Sequence, residues 1–258
     1  MTRTVGDGTV GKALDVLEHV ASFGRPVRFT EVLAETPYPK PTLYRLLQTL
    51  HRQKMLTYDA ERQTYAPGVR LVRLAYSAWS QASLAPIAKP FLEELVAEVG
   101  EAVHLAQIDQ GQVLFIDKRK STDMFETLAR AGQIAPAYCT GVGKAILAFL
   151  PDAERERAIR QQAFMPYTPS THTSAESLRT DLDEIRNAGV AHDREEHERG
   201  IISIAAPILT DTGQVVGALS IATSTSRHSL EGLSQFKNTL LRTASKIGAE
   251  AQSWQFNS

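Results

Sequence analysis

The chain has 258 residues, 43% hydrophobic and 22% charged, which fits one large domain or two modest ones and argues against global disorder. Its 28 basic and 29 acidic residues indicate no particular partner, and its one cysteine, Cys139, excludes an internal disulfide and any multi-thiolate metal site. No apolar run approaches the roughly 20 residues of a membrane span and the first ten residues lack a signal-peptide core, so we expect a soluble cytoplasmic protein without a membrane partner.

The charge is unevenly distributed along the chain. Residues 1–80 hold eleven Lys and Arg against seven Asp and Glu, a net charge of +4, which leaves −5 for the remainder. A basic front and an acidic rear indicate two modules that face different partners, one of them nucleic acid. A patch of +4 is also compatible with an ordinary solvated surface.

The front of the chain has the pattern of three helices. Apolar residues recur at helical spacing over 11–23, a short second helix follows with Thr30 as its cap, and Pro41 suits the first turn of a third helix. One face of the third helix is apolar: Leu43, Leu46, Leu47 and Leu50. The other face carries the groups that can reach bases or phosphates: Lys40, Thr42, Tyr44, Arg45 and Gln48.

A hairpin follows these helices. Two short β-prone runs, 55–58 and 63–66, flank a polar turn that ends at Arg62. Three helices and a hairpin form a winged helix-turn-helix, whose third helix fits the major groove while the hairpin tip reaches a phosphate or the minor groove. We therefore predict a DNA-binding domain over 1–68; the alternative is a small helical domain that makes protein contacts.

The next segment, 69–88, predicts a linker helix, ending near Pro86. Its apolar face would either mediate homodimerisation or pack on its own domain.

The rear, 89–258, alternates helices and hairpins. A helix over 90–99 precedes a hairpin of 102–107 and 113–116, and a buried helix covers 141–150. The later elements comprise polar helices at 152–162 and 174–188, capped by Asp152 or Ser174, a strand at 190–192, a hairpin of 201–209 and 214–222, and a helix at 230–252. The fold class is α+β: an antiparallel sheet with helices packed on it.

Candidate chemistry in the rear is sparse. The segment 139–144 is not a phosphate loop, because Tyr138 replaces its first glycine and Ala145 its hydroxyl residue, but glycines that open a helix leave N–H groups able to hold a carboxylate. The hydroxyls of Ser203 and Ser220 stand in apolar strands, where each needs either a backbone partner or a polar ligand.

Enzymatic and metal functions have little support. A hydrolase with Cys139 as nucleophile and His104 or His192 as base is the alternative function, although a lone cysteine is more often a buried apolar residue. His192 and His197 could hold a metal, but a solvated loop over 193–200 is the simpler interpretation. We therefore expect no catalytic residues, metal or cofactor.

Several separated motifs resemble the isocitrate lyase regulator (IclR) family of transcriptional regulators. They include Lys40–Leu50, similar to the family's recognition helix, and Tyr65–Gly68, similar to the strand that leaves its wing. Gly132, Pro136 and Thr140–Ala148 are similar to the family's effector-domain helix, and Asp193–Gly200 with Ala205–Ile208 is similar to its rear signature. The likeness covers nearly the whole chain.

The resemblance implies a winged helix-turn-helix over 1–68 and a GAF-like effector-binding domain over 89–258. It implies a homodimer or homotetramer that represses or activates metabolic genes and responds to a small organic or aromatic acid. Carried over by position, the effector residues are Met124, Ala135, Gly141, Val142, Asp193, Ser203, Ser220 and Ala222. The α-helix start near Gly141 would hold the carboxylate, the serines would donate, and Asp193 would accept from a ligand hydroxyl.

Some positions depart from the family pattern. Pro41 replaces a serine, Lys54 stands where a glycine usually precedes the wing, and Ala137–Tyr138 replaces a Leu-His pair. Ser203 replaces a common cysteine, and Ala222 stands where a second serine can occur. The last three changes alter the polarity of the cavity, so a relative's ligand does not transfer directly.

Overall fold

The protein is described by a computed structural model that covers residues 8–82, 84–120, 127 and 129–255. It divides into two compact units, Met1–Ala82 and Ser83–Ser258. The predicted fold class is confirmed, with a winged helix-turn-helix in the first unit and an antiparallel sheet flanked by helices in the second. Within the described ranges, no helix is both long enough and apolar enough to cross a bilayer.

The described part of the first unit, residues 8–82, contains four helices and a three-stranded sheet. Its elements are α1 (Gly8–Ser22), β1 (Val27–Arg28), α2 (Phe29–Glu35), α3 (Lys40–Arg52), β2 (Leu56–Asp59), β3 (Thr64–Pro67) and α4 (Val69–Ala82). The sheet order is β1-β3-β2 with antiparallel pairing. The predicted leucine face of α3 is buried against α1 and the wing, because a helix with one apolar stripe is stable only when that stripe is packed.

One local prediction in this unit was wrong, and one strand was missed. Thr30 lies inside α2, which instead begins after Arg28, whose backbone N–H donates to the Glu31 carboxylate at 2.8 Å. Strand β1 was not predicted, because two residues carry no readable alternation; its pairing of Val27 with Tyr65 defines it.

Lys54 adopts the left-handed conformation that glycine would take at this position. Its φ is +61°, directly after α3, and a Cβ on Gly68 would lie 2.3 Å from the Lys54 carbonyl oxygen. A left-handed L-residue is strained; backbone hydrogen bonds from the Lys54 N–H to the His51 carbonyl and from the Arg70 N–H to the Lys54 carbonyl fix this turn.

The second unit is a six-stranded antiparallel sheet with helices on both faces. Its strands are β4 (Ala102–Asp109), β5 (Gln112–Arg119), β6 (Ile134–Pro136), β7 (Ala191–Arg194), β8 (Ile201–Leu209) and β9 (Val215–Ser224). Its helices are α5 (Ala85–Val99), α6 (Gly141–Phe149), α7 (Asp152–Arg160), α8 (Ala175–Ala188), α9 (Leu230–Ser234) and α10 (Lys237–Gln255). The strand order is β6-β5-β4-β9-β8-β7.

The two sheet faces bury different sets of side chains, because successive residues of a strand point to opposite sides. One face packs Val103, Ile204 and Ile221 against α5 and α10. The other face packs Ala106, Ala205 and Ala218 against α6. Small residues on this second face let α6 approach the sheet closely, and this layer contains the candidate site.

The helix boundaries of the second unit differ from prediction mainly at prolines. Pro86 begins α5 instead of ending the preceding helix, since a proline in the first turn has no N–H bond to lose. Ser174 caps α8 by accepting from the Ser177 N–H, as predicted, whereas the cap of α7 is Pro151 and not Asp152. The long C-terminal helix is two helices, α9 and α10.

Candidate DNA interface and effector cavity

Polar side chains lie in two rows across the sheet face beneath α6. In one row His104 is paired with Ser220 on one side and with Lys118 on the other. In the next row Asp193 is paired with Ser203, and Ser203 with Ala222. Directly paired residues of antiparallel strands share a face, so residues far apart in sequence meet at one place.

A small cavity, partly open to solvent, lies over these rows. Seven of the eight predicted effector residues line it: Ala135, Gly141, Val142, Asp193, Ser203, Ser220 and Ala222. The eighth, Met124, lies outside the described residues. Further lining residues were not assigned to this site from the sequence: His104, Phe115, Thr127, Ala129, Gln133, Ile134, Thr140, His197, Glu198 and Ile201.

The start of α6 forms one wall of the cavity. Thr140, Gly141 and Val142 line it, and the first N–H that bonds back into this turn is that of Lys144, to the Thr140 carbonyl at 2.9 Å. The first N–H groups of a helix lack intrahelical partners and attract anions. A Cβ on Gly141 would lie 2.6 Å from Ser203 Oγ, so the glycine brings this backbone directly against β8.

The two serines of the cavity differ in their partners. Ser203 is 5% exposed, and its hydroxyl makes no hydrogen bond to any described residue. Ser220 Oγ lies 3.5 Å from Nδ1 of His104, whose Nε2 lies 3.1 Å from Thr127 Oγ1. Burial, reinforced by the charge of Lys118, lowers the pKa of His104 to about 3, so the imidazole is neutral near pH 7. Because the Ser203 hydroxyl has no partner among the described residues, it can donate a hydrogen bond to a ligand.

Asp193 is a buried carboxyl in the cavity wall. It accepts from the Glu196 N–H at 2.8 Å and is 7% exposed. Burial raises the pKa of Asp193 to about 7, and the neighbouring Glu196 charge adds to the rise. The charge of this group, and with it the charge of the cavity wall, therefore changes near neutral pH.

The raised pKa gives a pH dependence with a definite sign. Folded protein holds the Asp193 proton up to about pH 7, whereas an unfolded aspartate loses it near 3.8. The stability contributed by the protonated Asp193 carboxyl is complete below pH 3.8. It decreases as the pH rises from 3.8 and is lost once the pH has passed through 7. We expect the free energy of unfolding of the wild type, relative to Asp193→Asn, to fall by about 3 kcal/mol from pH 5 to pH 8 in urea titrations. A difference independent of pH would contradict the raised pKa.

A buried charge cluster lies behind the cavity. Lys144 of α6 is fully buried, and its Nζ donates to Asp181 Oδ2 of α8 at 2.6 Å and to Glu196 Oε1 at 2.5 Å. His172 Nε2 lies 3.2 Å from the same Asp181 oxygen, and Arg194 lies 3.5 Å from the other. Burial opposes ionisation of Asp181, but His172 and Lys144 overcome it and lower the pKa of its carboxyl.

The cluster shows what Lys144 binds and why its neighbours are not free to hold a metal ion. The lysine side chain bonds the two carboxylates, so it does not serve a phosphate at the helix start. His172, Asp181 and Glu196 have the ligand types and spacing of a metal site, but the Lys144 ammonium already bonds both carboxylates.

The charged run 193–200 is not entirely the solvated loop that the sequence indicated. Two of its carboxylates, Asp193 and Glu196, are buried.

The proposed nucleophile Cys139 lies in the hydrophobic core and is not exposed to solvent. Burial raises the pKa of its thiol far above the ordinary value, so the thiolate is disfavoured. Its burial gives the hydrolase alternative no support and fits the other expectation, that a lone cysteine is a small buried apolar residue.

The polar face of α3 is the candidate DNA interface. Lys40, Tyr44 and Arg45 are exposed, and Thr42 and Gln48 are partly buried. Gln48 Nε2 donates to the wing's Tyr65 hydroxyl at 3.4 Å, which links the helix to β3. Arg62 stands in the turn of the wing with 80% of its side chain exposed, near Asp59 at 4.0 Å.

Two family models together match most of the chain. The model of the bacterial transcriptional regulator IclR C-terminal domain matches residues 76–249, and that of the IclR helix-turn-helix domain matches residues 9–60. The chain is 30% identical to the HTH-type transcriptional regulator KdgR of Escherichia coli K12, over 94% of this chain and 93% of that protein. It is 28% identical to the transcriptional repressor IclR of E. coli K12, over 92% and 87%.

Solved structures show the same architecture. Thermotoga maritima IclR has a TM-score of 0.76 and 26% identity, covering 94% of this chain and 98% of that one. An IclR homologue from Microbacterium hydrocarbonoxydans, solved with 4-hydroxybenzoate, has a TM-score of 0.83 over 95% and 100%; at 22% identity this likeness shows the fold alone.

The winged helix-turn-helix and the rear domain together define a DNA-binding transcriptional regulator with an effector-binding domain. Its relatives are regulators, not enzymes. The chain belongs to the IclR family.

Proposed function

We propose that this regulator binds an operator near metabolic genes through α3 and the wing, and that a small organic or aromatic acid bound beneath α6 controls the binding. Residues 1–68 would be the DNA-binding domain, 69–88 the linker helix and 89–258 the effector domain. The protein would act in the cytoplasm, where duplex DNA is accessible. The observation that carries the effector proposal is the cavity itself, where the first N–H groups of α6 lie beside the Ser203 hydroxyl.

Each cavity wall would bind a different part of the acid. The N–H groups of Gly141–Gly143 would hold the carboxylate, with Ser203 and Ser220 donating hydrogen bonds. Asp193 would accept from a hydroxyl on the ligand, and apolar groups such as Val142, Ala135 and Ala222 would pack on its body. Binding changes operator affinity only if the ligand prefers one of two conformations of the protein.

The exposed face of α4 supports a homodimer or a homotetramer. Val69, Val72 and Tyr76 are each more than 65% exposed. A contiguous apolar helix face in water favours association, and a second copy of the same face satisfies a twofold interface.

The effector proposal predicts binding of a carboxylic acid that Ser203 strengthens. We expect thermal-shift and titration assays with a panel of organic acids, 4-hydroxybenzoate among them, to find a binder whose affinity falls about tenfold in Ser203→Ala, the loss of one good hydrogen bond. The matched control Ser226→Ala changes an exposed serine outside the cavity and should leave the affinity unchanged. If no acid in the panel shifts the melting temperature, the acid-effector proposal fails.

The DNA proposal predicts a large loss of operator affinity in Arg45→Ala. A guanidinium bonded to a guanine or a phosphate contributes about 1–3 kcal/mol, so we expect gel-shift affinity for an operator selected from genomic fragments to fall about 10–100-fold. Arg62→Ala should instead weaken binding across sequences and reduce the slope of log affinity against log salt by about 0.9. Unchanged affinity in Arg45→Ala would remove this residue from the interface.

A further inference from the structure

A hydrogen-bond relay of four side chains ends at the Ser220 hydroxyl in the cavity wall. Lys118 Nζ donates to Thr127 Oγ1 at 2.9 Å, and the same oxygen lies 3.1 Å from His104 Nε2. The other ring nitrogen, Nδ1, lies 3.5 Å from Ser220 Oγ. Three members of the relay line the cavity, whereas Lys118 does not. The relay therefore connects a cation that does not line the cavity with a hydroxyl that does.

The register of the sheet gives the relay its order. The strands lie in the order β5-β4-β9, and His104 of β4 is paired with Lys118 of β5 on one side and with Ser220 of β9 on the other. Nε2 contacts the oxygen that the ammonium also contacts, and Nδ1 faces the hydroxyl of the opposite strand. Neither ring nitrogen has another hydrogen-bond partner among the described residues.

Lys118 sets the direction of the hydrogen bonds, because an ammonium donates and never accepts. Thr127 Oγ1 accepts from it, so the Thr127 hydroxyl can give its own proton to His104 Nε2. The imidazole carries one proton near pH 7, since burial, reinforced by the Lys118 charge, lowers its pKa to about 3. With Nε2 accepting, that proton lies on Nδ1 and faces Ser220 Oγ. The proton of the Ser220 hydroxyl is then directed to the cavity.

The opposite direction costs free energy for two reasons. A proton on Nε2 would place a second donor at the oxygen that already contacts the ammonium, and low-dielectric surroundings strengthen that repulsion. The proton of the buried Thr127 hydroxyl would also have no acceptor among the described residues, which carries the cost of an unmade hydrogen bond. A proton on Nδ1 avoids both costs.

We propose that Lys118 and Thr127 are positioning residues that fix the tautomer of His104. Ser220 is thereby a donor, and the ligand group beside it is a hydrogen-bond acceptor. The Ser203 hydroxyl and the first N–H groups of α6 also face the cavity as donors, so a carboxylate suits this wall and a ligand hydroxyl or amine that must donate does not. The part of the inference that concerns the ligand rests on the proposed function, whereas the tautomer does not.

The tautomer is measured on the full-length protein without ligand. Nitrogen-15 NMR of protein labelled in its histidine rings distinguishes the protonated ring nitrogen from the unprotonated one, and the His104 signals are those lost in His104→Gln. We expect the wild type to carry the proton on Nδ1, and Thr127→Val and Lys118→Met to move much of it to Nε2. Thr127→Ser keeps the hydroxyl, and Lys120→Met removes an exposed charge nearby, so both should keep the wild-type tautomer. A proton on Nε2 in the wild type, or a tautomer unchanged in Thr127→Val and Lys118→Met, overturns the inference.

A double-mutant cycle separates action through Ser220 from a direct effect of Thr127 on the ligand. The probes are 4-hydroxybenzoate, benzoate and succinate, titrated calorimetrically into the full-length protein. For each probe that binds, Thr127→Val should lower the affinity about threefold or more when Ser220 is present and leave it nearly unchanged in Ser220→Ala. An equal loss in both backgrounds contradicts the relay. If none of the acids binds, the acid-effector proposal fails, and the tautomer measurement then decides the relay by itself.

Discussion

Lys144→Ala is expected to destabilise the effector domain by about 3–5 kcal/mol, the usual cost of removing one partner from a buried ion pair. Lys144 is fully buried, and its ammonium is bonded to Asp181 and Glu196, which are themselves buried. Without the lysine, two carboxylates would remain close together in the interior, where the partners among the described residues are the Arg194 guanidinium and the His172 ring nitrogen. Urea unfolding followed by circular dichroism would measure the loss.

A control variant at an exposed ion pair and a rescue variant test whether the loss of stability comes from stranding buried charges. Lys246→Ala breaks a solvent-exposed pair with Glu94, 3.9 Å apart, and should cost less than about 1 kcal/mol. Adding Asp181→Asn and Glu196→Gln to Lys144→Ala should recover much of the stability, because the stranded charges are then absent. A Lys144→Ala protein as stable as Lys246→Ala would show that the carboxylates do not depend on this lysine.

Gly143→Ala is expected to cost about 3 kcal/mol, at the upper end of the range for overpacking. A Cβ at this position would lie 2.4 Å from the Ala137 carbonyl oxygen and 2.5 Å from its Cα. Both atoms belong to the backbone of the 3-10 turn Ala137–Cys139, which cannot move aside as a side-chain end can. The turn and α6 would separate, and the cavity beside Gly141 would distort with them.

The matched control for this prediction is a glycine in another helix of the same unit. A Cβ on Gly232 of α9 meets nothing closer than 3.5 Å, so Gly232→Ala should be neutral or stabilise the protein slightly. Thermal unfolding of the two variants compares them directly. Equal melting temperatures would show that the turn before α6 adapts to a methyl group.

The sequence predicted the linear elements because their signals are local. The leucine repeat of α3, the polar turn of the wing and the glycines at the start of α6 each lie within a dozen residues. Seven predicted effector residues also line one cavity, but their selection depended on motifs similar to a known family. Spacing alone gave no reason to place Ser203 near Gly141.

The residues that the sequence missed are those whose neighbours come from other strands. His104 was considered only as a base for Cys139, whereas its pairing with Ser220 and Lys118 places it in the cavity wall. Glu196 lies in a charged run that looks solvated, yet it is buried against Lys144 of α6. The sequence does not show which partner offsets the energetic cost of burying a charged side chain such as that of Glu196.

The sequence by itself determined a basic winged helix-turn-helix followed by an α+β domain, because helix period, strand alternation and turn residues are properties of consecutive positions. Tertiary structure decided which charges line the cavity beneath α6. The antiparallel register pairs His104 with Ser220 and Asp193 with Ser203. Lys144 of α6, which packs on small residues of the sheet, is buried in an ion pair with Asp181 and does not line the cavity. Electrostatic character depends on distance and burial, and these are fixed only when separate strands and helices come together.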